Sequence, residues 1–266
     1  MSVLLVIPAR YASTRYPGKP LVELRGATDV PRSLIRRSWD AARAVDGVDR
    51  VVIATDDDRI ADAAAGFGAE TVMTSEHCRN GTARCAAVAE ALGPEHEIII
   101  NLQGDAPLTP PWFVSALVEA MEADASMAVA TPVLRCDATA LAGFLEDRRN
   151  GRVGATTAVF DRTGRALYFS KEVIPHVGRP LGPYEAIPVF HHVGVYAYRR
   201  APLLAYACWE AGPLETWEGL EQLGFMENGV PVHCVEVDAR GHAFWELNNP
   251  SDVPRIEDIL RSLGQP

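Results

Sequence analysis

Lysine is almost missing from this 266-residue sequence. Of its 25 basic residues only Lys19 and Lys171 are lysines, and the rest are arginines. So strong a bias reads as genome composition, which singles out the two positions that resist it. Positive charge as a whole is short, with 35 acidic residues leaving a formal net charge of −10. That argues against a broad nucleic-acid or membrane surface, since phosphate binding wants a basic face. Cysteine is scarce as well. Cys78, Cys85, Cys136, Cys208 and Cys234 form no C-x-x-C pair and are odd in number. They read as reduced thiols rather than a disulfide framework or a zinc site. No apolar run approaches the ~20 residues of a membrane span. No charged leader segment precedes the first strand-like run. The expectation is a soluble, cytoplasmic protein with neither nucleic acid nor membrane as partner.

Two common phosphate-binding signatures are absent too. No G-x-G-x-x-G follows the first strand-like run, and G-x-x-x-x-G-K-[ST] fails because Pro20 follows Gly18-Lys19. No internal repeat or low-complexity linker divides the chain. What is present is a series of apolar runs, VLLVI (3–7), VVIAT (51–55), EIIINL (97–102) and MAVATPV (127–133). These read as strands buried on both faces. Helical patterns fill the intervals at 32–45, 57–66, 82–92 and 110–123, the alternation of a doubly wound α/β sheet. Past 135 the rhythm changes to strands at 156–161, 165–170 and 191–198, then helices at 200–209 and 214–228. A strand at 230–237 and a helix at 250–260, capped by Asn249 or Ser251, close the chain. The expected architecture is a mixed, mostly parallel, Rossmann-like α/β sheet with a smaller β-rich lobe. The segment 178–188, with its Pro and Gly, is the candidate for a mobile or dimer-forming loop.

Against the acidic background stands PARYASTRYPGKP (8–20), which carries Arg10, Arg15 and Lys19 with no acid before Glu23. Ligands of an open parallel sheet gather beyond the carboxyl ends of its strands, and this loop leaves the first one. Gly18 lets backbone approach a phosphate closely, and three cations can neutralise a chain of phosphates. Q-G-D-A-P then places Asp105 just past the strand at 97–102, on the same sheet edge. A carboxylate there can hold Mg²⁺ against phosphates, although an isolated post-strand Asp is more often a turn or helix cap.

The pattern P-A-R-x-x-S-T-R-x-P-G-K-P resembles the N-terminal signature of the 3-deoxy-manno-octulosonate (Kdo) cytidylyltransferases, the CMP-Kdo synthetases. ATDDD (54–58), MTS (73–75), NGTAR (80–84), NLQGDAP (101–107), ALYFSK (166–171), HHVGVYAY (191–198) and LEQL (220–223) extend it over nearly the whole chain. The resemblance implies a single domain of nucleotidyltransferase fold over 1–266. A nucleotide-binding core would run to about 135, an acceptor and dimerisation lobe over about 136–240, and a returning segment over about 241–266. It implies Mg²⁺-dependent transfer of CMP from CTP to an anionic acceptor, a Kdo-type 2-keto sugar acid of lipopolysaccharide biosynthesis, by a cytoplasmic homodimer. Attack on the α-phosphorus needs no protein nucleophile, because the acceptor brings its own oxygen. Catalysis then rests on positioning and on neutralising charge as pyrophosphate departs.

By the same resemblance Arg10, Arg15, Lys19 and Asp105 are the catalytic residues. Ala9, Arg10, Gly18, Lys19, Ala54, Asp56, Asn80, Gly81, Thr82 and Arg84 form the nucleotide site. Gln103, Lys171, His192, Tyr196, Glu221 and Gln222 take the acceptor, while Asp105 and Asn248 hold the metal. Considered without the family, His192 and Tyr196 read as packing on a half-buried strand, and Glu221-Gln222 as a solvated helix face.

The chain also departs from the family. L-N-N-P-S-D (247–252) stands where V-D-T-P-E-D is usual, so neutral Asn248 takes the place of the second metal carboxylate. Lys171 stands in place of an Arg, exchanging a bidentate grip for a point charge. Thr157 replaces a Lys, G-A-T (26–28) replaces G-K-P, and Ala83 replaces an acid. These changes cluster around metal and acceptor and leave the triphosphate loop intact. Two alternatives follow from them. The acceptor is a small phosphonate such as phosphonoformate, as in phosphonate and phosphinate natural-product biosynthesis, or the chain is a CTP-binding homologue without catalysis.

Overall fold

A run such as Val3–Ala9, apolar at successive positions, is satisfied only where both faces of a sheet are covered. The computed structural model describes residues 1–13, 16–153, 155–178, 186–243 and 245–266, and in it this run is β1 (Val3–Ala9). A 3-10 turn (Lys19–Leu21) and the short pair β2 (Glu23–Leu24) and β3 (Arg32–Ser33) follow. Strand and helix then alternate through α1 (Leu34–Arg43), β4 (Arg50–Thr55), α2 (Asp58–Ala65), β5 (Glu70–Met73), α3 (Gly81–Leu92), β6 (Ile98–Leu102), α4 (Pro111–Ala123) and β7 (Val129–Arg135). The second half adds α5 (Ala138–Arg149), β8 (Thr157–Phe160), β9 (Ala166–Ser170), β10 (Phe190–His192) and β11 (Val195–Arg199). It ends with α6 (Arg200–Cys208), α7 (Pro213–Glu218), α8 (Glu221–Glu227), β12 (Val232–Glu236) and α9 (Val253–Ser262).

Apart from the separate antiparallel pair of β2 and β3, ten strands form one mixed sheet in the order β5-β4-β1-β6-β11-β7-β10-β8-β9, with β12 on β7. Its first half is parallel, β1 lying between β4 and β6. The strands of the second half continue the same sheet, β11 running antiparallel to β6 and β10 antiparallel to β7. Alternate residues of β1 serve opposite layers. Val3, Leu5 and Ile7 meet Ile35, Trp39, Phe113 and Leu117 of α1 and α4. Leu4 and Val6 belong with Val88 of α3 and Leu203 and Tyr206 of α6. Each such side chain, fully withdrawn from water, contributes about 1.5–3 kcal/mol.

Several elements differ from the sequence expectation. The strand expected over 191–198 is two strands broken at residues 193–194, β10 lying between β7 and β8 and β11 between β6 and β7. The helix expected over 214–228 is two helices, because Gly219 closes α7 in a left-handed conformation (φ 61°). Helix α5 was hidden by its composition, since only Leu141 of its twelve residues is buried and no apolar stripe marks it. The C-terminal helix begins as a 3-10 turn at Pro250–Asp252, with Asn249 and Asp252 forming a reciprocal capping box. Of the segment 178–188, residues 179–185 lie outside the described residues. Among the described residues no helix is long and apolar enough to cross a membrane.

A smaller apolar cluster decides where the chain's end goes. Leu247, Ile256 and Leu260 pack against Leu24, Leu34 and Leu108. The returning segment is thereby pinned beside the loop that follows β6.

Candidate active site

Because β1 and β6 are parallel neighbours, the loops that leave their carboxyl ends rise from one sheet edge. They touch. A Cβ on Gly104 would stand 2.7 Å from the Pro8 carbonyl oxygen, so only glycine allows the two loops to close up. Ser38 holds that position by donating to the Gly104 carbonyl at 3.0 Å. On the other loop, Gly18 (φ 70°) turns the chain back so that its N–H reaches the Tyr11 carbonyl at 3.0 Å. Lys19 follows at once, and its Nζ lies 2.5 Å from Asp105 Oδ2. The two charged groups assigned from sequence to one triphosphate site therefore meet in an ion pair. Both remain partly open to solvent, and both face a cleft of about 340 Å³. Ala9, Arg10, Asn80, Gly81, Arg84 and Gln103 line that cleft with them. Arg15 lies outside the described residues.

The opposite wall is the start of α3. Asn80 caps the helix, its Oδ1 accepting the Ala83 N–H at 2.9 Å while its Nδ2 donates to the Tyr206 hydroxyl at 2.7 Å. Arg84 is buried. Its guanidinium pairs with Asp56 at 2.8 Å and donates to the Thr74 hydroxyl. Four residues assigned to the nucleotide are not on the cleft wall among the described residues. Ala54 is fully buried in β4, and Asp56 reaches the cleft only through Arg84. Gly18 shapes its loop from behind. Thr82 is fully buried, its hydroxyl sharing a 2.7 Å hydrogen bond with the Tyr198 hydroxyl. Its backbone N–H donates to Glu221 Oε2 at 3.1 Å, and Gln103 Nε2 donates to the other Glu221 oxygen at 3.4 Å. Burial pushes the Glu221 carboxyl above its ordinary pKa, the Thr82 N–H opposing that shift.

Gln103 and Asp105 also form a wall of a second, larger cavity of about 1390 Å³, which Lys171, His192, Tyr196 and Asn248 line. His192 is buried, with Nε2 2.8 Å from the Thr131 hydroxyl, and burial lowers its pKa to about 3. It is a neutral imidazole at physiological pH. The Tyr196 hydroxyl donates to Gln222 Oε1 at 2.9 Å. The Gln222 amide nitrogen, also buried, has no hydrogen-bond partner among the described residues, and Gln222 lines a third cavity of about 460 Å³ with Tyr196 and Glu221. The residues assigned to the acceptor thus divide between two adjoining cavities, with Tyr196 on both walls. Glu221 and Gln222 are not a solvated face, because the break at Gly219 turns α8 inward.

That glycine has a second use. A Cβ at position 219 would stand 2.9 Å from Lys171 Nζ, so the left-handed turn and the room for the ammonium come from one residue. Gly219→Ala is expected to cost about 1 kcal/mol of stability from the positive φ. It should also raise the KM for the acceptor several-fold, as about 1 kcal/mol of displaced contact implies, with the KM for CTP unchanged. Thermal unfolding and steady-state kinetics check both effects.

Asn248 is carried to Asp105 by backbone. The Leu247 N–H donates to the Asp105 carbonyl at 2.9 Å, and the next residue opens onto the same cavity as the Asp105 side chain. Among the described residues no group of three or more His, Cys, Asp or Glu side chains could hold a metal ion. A site of one or two protein oxygens completed by substrate phosphates fits Mg²⁺, which keeps several waters. Sequence reasoning passed over Arg79 and Glu246. Arg79 lies over the Tyr206 ring at 4.4 Å and lines both the cleft beside Lys19 and the third cavity. Glu246 lines the second cavity. Only the position of Arg79 immediately before N-G-T could have drawn notice to it.

A sequence profile for the family described as "Cytidylyltransferase" matches residues 4–232. The chain belongs to the cytidylyltransferase family. It is 45% identical to the 3-deoxy-manno-octulosonate cytidylyltransferase of Maricaulis maris (strain MCS10), over 100% of this chain and 99% of that one. The protein of that description from Chlamydia pneumoniae is 38% identical over 97% of this chain and 94% of its own. A solved structure of a CMP:2-keto-3-deoxy-manno-octonic acid synthetase complexed with CTP superposes with a TM-score of 0.83, 32% identity and 98% coverage of each chain. The ion pair between Lys19 and Asp105 is thus a feature of a nucleotidyltransferase enzyme, and the cleft beside it lies within the matched span.

Proposed function

We propose that this cytidylyltransferase transfers CMP from CTP to a Kdo-type 2-keto sugar acid, releasing pyrophosphate, with Mg²⁺ as cofactor. One observation carries the reading. Lys19 and Asp105 meet at 2.5 Å on the rim of the nucleotide cleft, and Asp105 and Gln103 also wall the larger cavity behind it. A triphosphate in the cleft and an acceptor in the cavity would face each other across those residues, as in-line attack requires.

The acceptor's own hydroxyl oxygen attacks the α-phosphorus and gives up its proton to solvent, while the bond to the bridging oxygen of pyrophosphate breaks. Arg10 and Lys19 neutralise the departing charge. Lys171 offers a point charge to the acceptor carboxylate, while neutral His192 and the Tyr196 hydroxyl hold their positions through Thr131 and Gln222. Asp105 and the Asn248 amide oxygen supply hard donors suited to Mg²⁺, which when bound would withdraw charge from the phosphates. The sugar acid is favoured over a phosphonate of a few atoms because relatives 45% and 38% identical to this chain are named for 3-deoxy-manno-octulosonate.

Pyrophosphate release from CTP should be measured against Kdo, other 2-keto sugar acids and phosphonoformate. The expected order puts Kdo or a close sugar acid first by about 10²-fold in kcat/KM, since unpaired polar groups of the cavity penalise the small phosphonate. Turnover with phosphonoformate alone would replace the sugar-acid reading with the phosphonate one.

A further inference from the structure

We propose that Tyr206 and Glu215 are positioning residues for the nucleotide, fixing through the Asn80 amide one wall of the cleft beside Lys19. This rests on the reading of that cleft as the CTP site.

Among the described residues neither lines that cleft. Tyr206 is fully buried, and Glu215, buried as well, has an edge on the third cavity. Their reach to the cleft is a chain of hydrogen bonds. Glu215 Oε1 accepts the Tyr206 hydroxyl at 2.6 Å, and the Tyr206 oxygen accepts Asn80 Nδ2 at 2.7 Å. Asn80 Oδ1 then accepts the Ala83 N–H at 2.9 Å and caps α3. The far end is anchored in turn, Glu227 of α8 accepting the Leu214 and Glu215 N–H groups at 2.9 Å each.

The chain runs in one direction only. A backbone N–H can only donate and a carboxylate can only accept. Turning the Asn80 amide over would set donor against donor at Ala83 and acceptor against acceptor at Tyr206. Burial, and then the bond to Glu215, push the Tyr206 phenol above its ordinary pKa, so it keeps the proton the chain needs.

The residue before Asn80 is tied to the same support. The Arg79 guanidinium lies 4.4 Å over the Tyr206 ring, donates to the Trp209 carbonyl at 2.6 Å and stands 3.7 Å from Glu215 Oε1. Arg79 and Asn80 both line the cleft, while the groups that fix them belong to α6, its end and α7. A wall set in this way needs no ordering when the ligand arrives, so loss of the chain should be felt as loss of affinity.

Calorimetry of CTP binding to the full chain in EDTA, with thermal unfolding beside it, tests the assignment. Tyr206→Phe keeps the ring under Arg79 but removes the hydroxyl, and should raise the Kd for CTP about tenfold. Asn80→Ser keeps an oxygen for the cap but no amide to reach Tyr206. It should lose a similar factor, and adding Tyr206→Phe to it should cost nothing more. Glu215→Gln still accepts the hydroxyl and should bind CTP within about threefold of wild type, whereas Glu215→Leu should match Tyr206→Phe. Should Tyr206→Phe fail to fold, the contrast between Glu215→Gln and Glu215→Leu decides. A Tyr206→Phe protein that melts lower yet binds CTP as wild type does would reduce the chain to packing and overturn the assignment. Additive losses in the double variant would overturn it too. So would a Glu215→Gln as weak as Glu215→Leu, which would give the effect to the charge beside Arg79. If Lys19→Ala leaves CTP affinity intact, the reading of the cleft as the CTP site fails and the assignment with it.

Discussion

Asp105→Ala is expected to abolish CMP transfer, lowering kcat by about 10³-fold or more, because the site loses its central hard oxygen donor. Nucleotide binding should respond in the opposite sense. The carboxylate stands 2.5 Å from the Lys19 ammonium, so removing it releases that cation for the triphosphate and takes away a like charge. Without metal, CTP should bind as tightly as to wild type or more so. Pyrophosphate release gives the first quantity and calorimetry in EDTA the second. A variant that keeps kcat within about tenfold of wild type would remove Asp105 from the chemistry, since a loss below about 1.4 kcal/mol is no more than a surface contact supplies.

Lys19→Ala should lower kcat/KM for CTP by about 10²–10³-fold, the scale of one preorganised charge removed from a developing anion. The loss should fall on CTP and leave the acceptor KM near its wild-type value, because Lys19 lines the nucleotide cleft and not the larger cavity. Stability should change little. The pair keeps contact with solvent on both partners, at 15% and 27% exposure, and such ion pairs contribute about 0–1 kcal/mol. A large fall in melting temperature with unchanged kinetics would make the ion pair a structural clasp instead of part of a phosphate cradle. The two variants therefore separate: one removes turnover while sparing nucleotide affinity, and the other weakens nucleotide use directly.

The parallel half of the sheet was readable because its strands are buried on both faces, which leaves unbroken apolar runs such as Ile98–Leu102. Helix α3 was readable from its pattern over 82–92, while the cap that starts it at Asn80 came only with the structure. The alignment of Lys19 with Asp105 also followed from the chain alone. Parallel neighbouring strands deliver their following loops to one edge, so a cation after β1 and a carboxylate after β6 had to rise on the same side.

Side-chain direction was not readable in this way. Thr82 lies inside the motif N-G-T, yet its hydroxyl meets Tyr198, 116 residues away in the chain. Arg84 spends its guanidinium on Asp56 and Thr74, and no local pattern pairs those positions. The separation of the acceptor residues into two cavities depends on Gly219 splitting one expected helix into two. The placing of Asn248 beside the Asp105 loop depends on the backbone hydrogen bond from Leu247 and on an apolar cluster that joins Leu247, Ile256 and Leu260 to Leu24, Leu34 and Leu108. Periodicity and strand polarity act over a few residues and so are written locally: they placed the cations and the carboxylate on one edge. Which of those groups meet, and which are spent on capping or packing, depends on contacts between distant segments. Those contacts form only when burial of apolar surface brings the segments together.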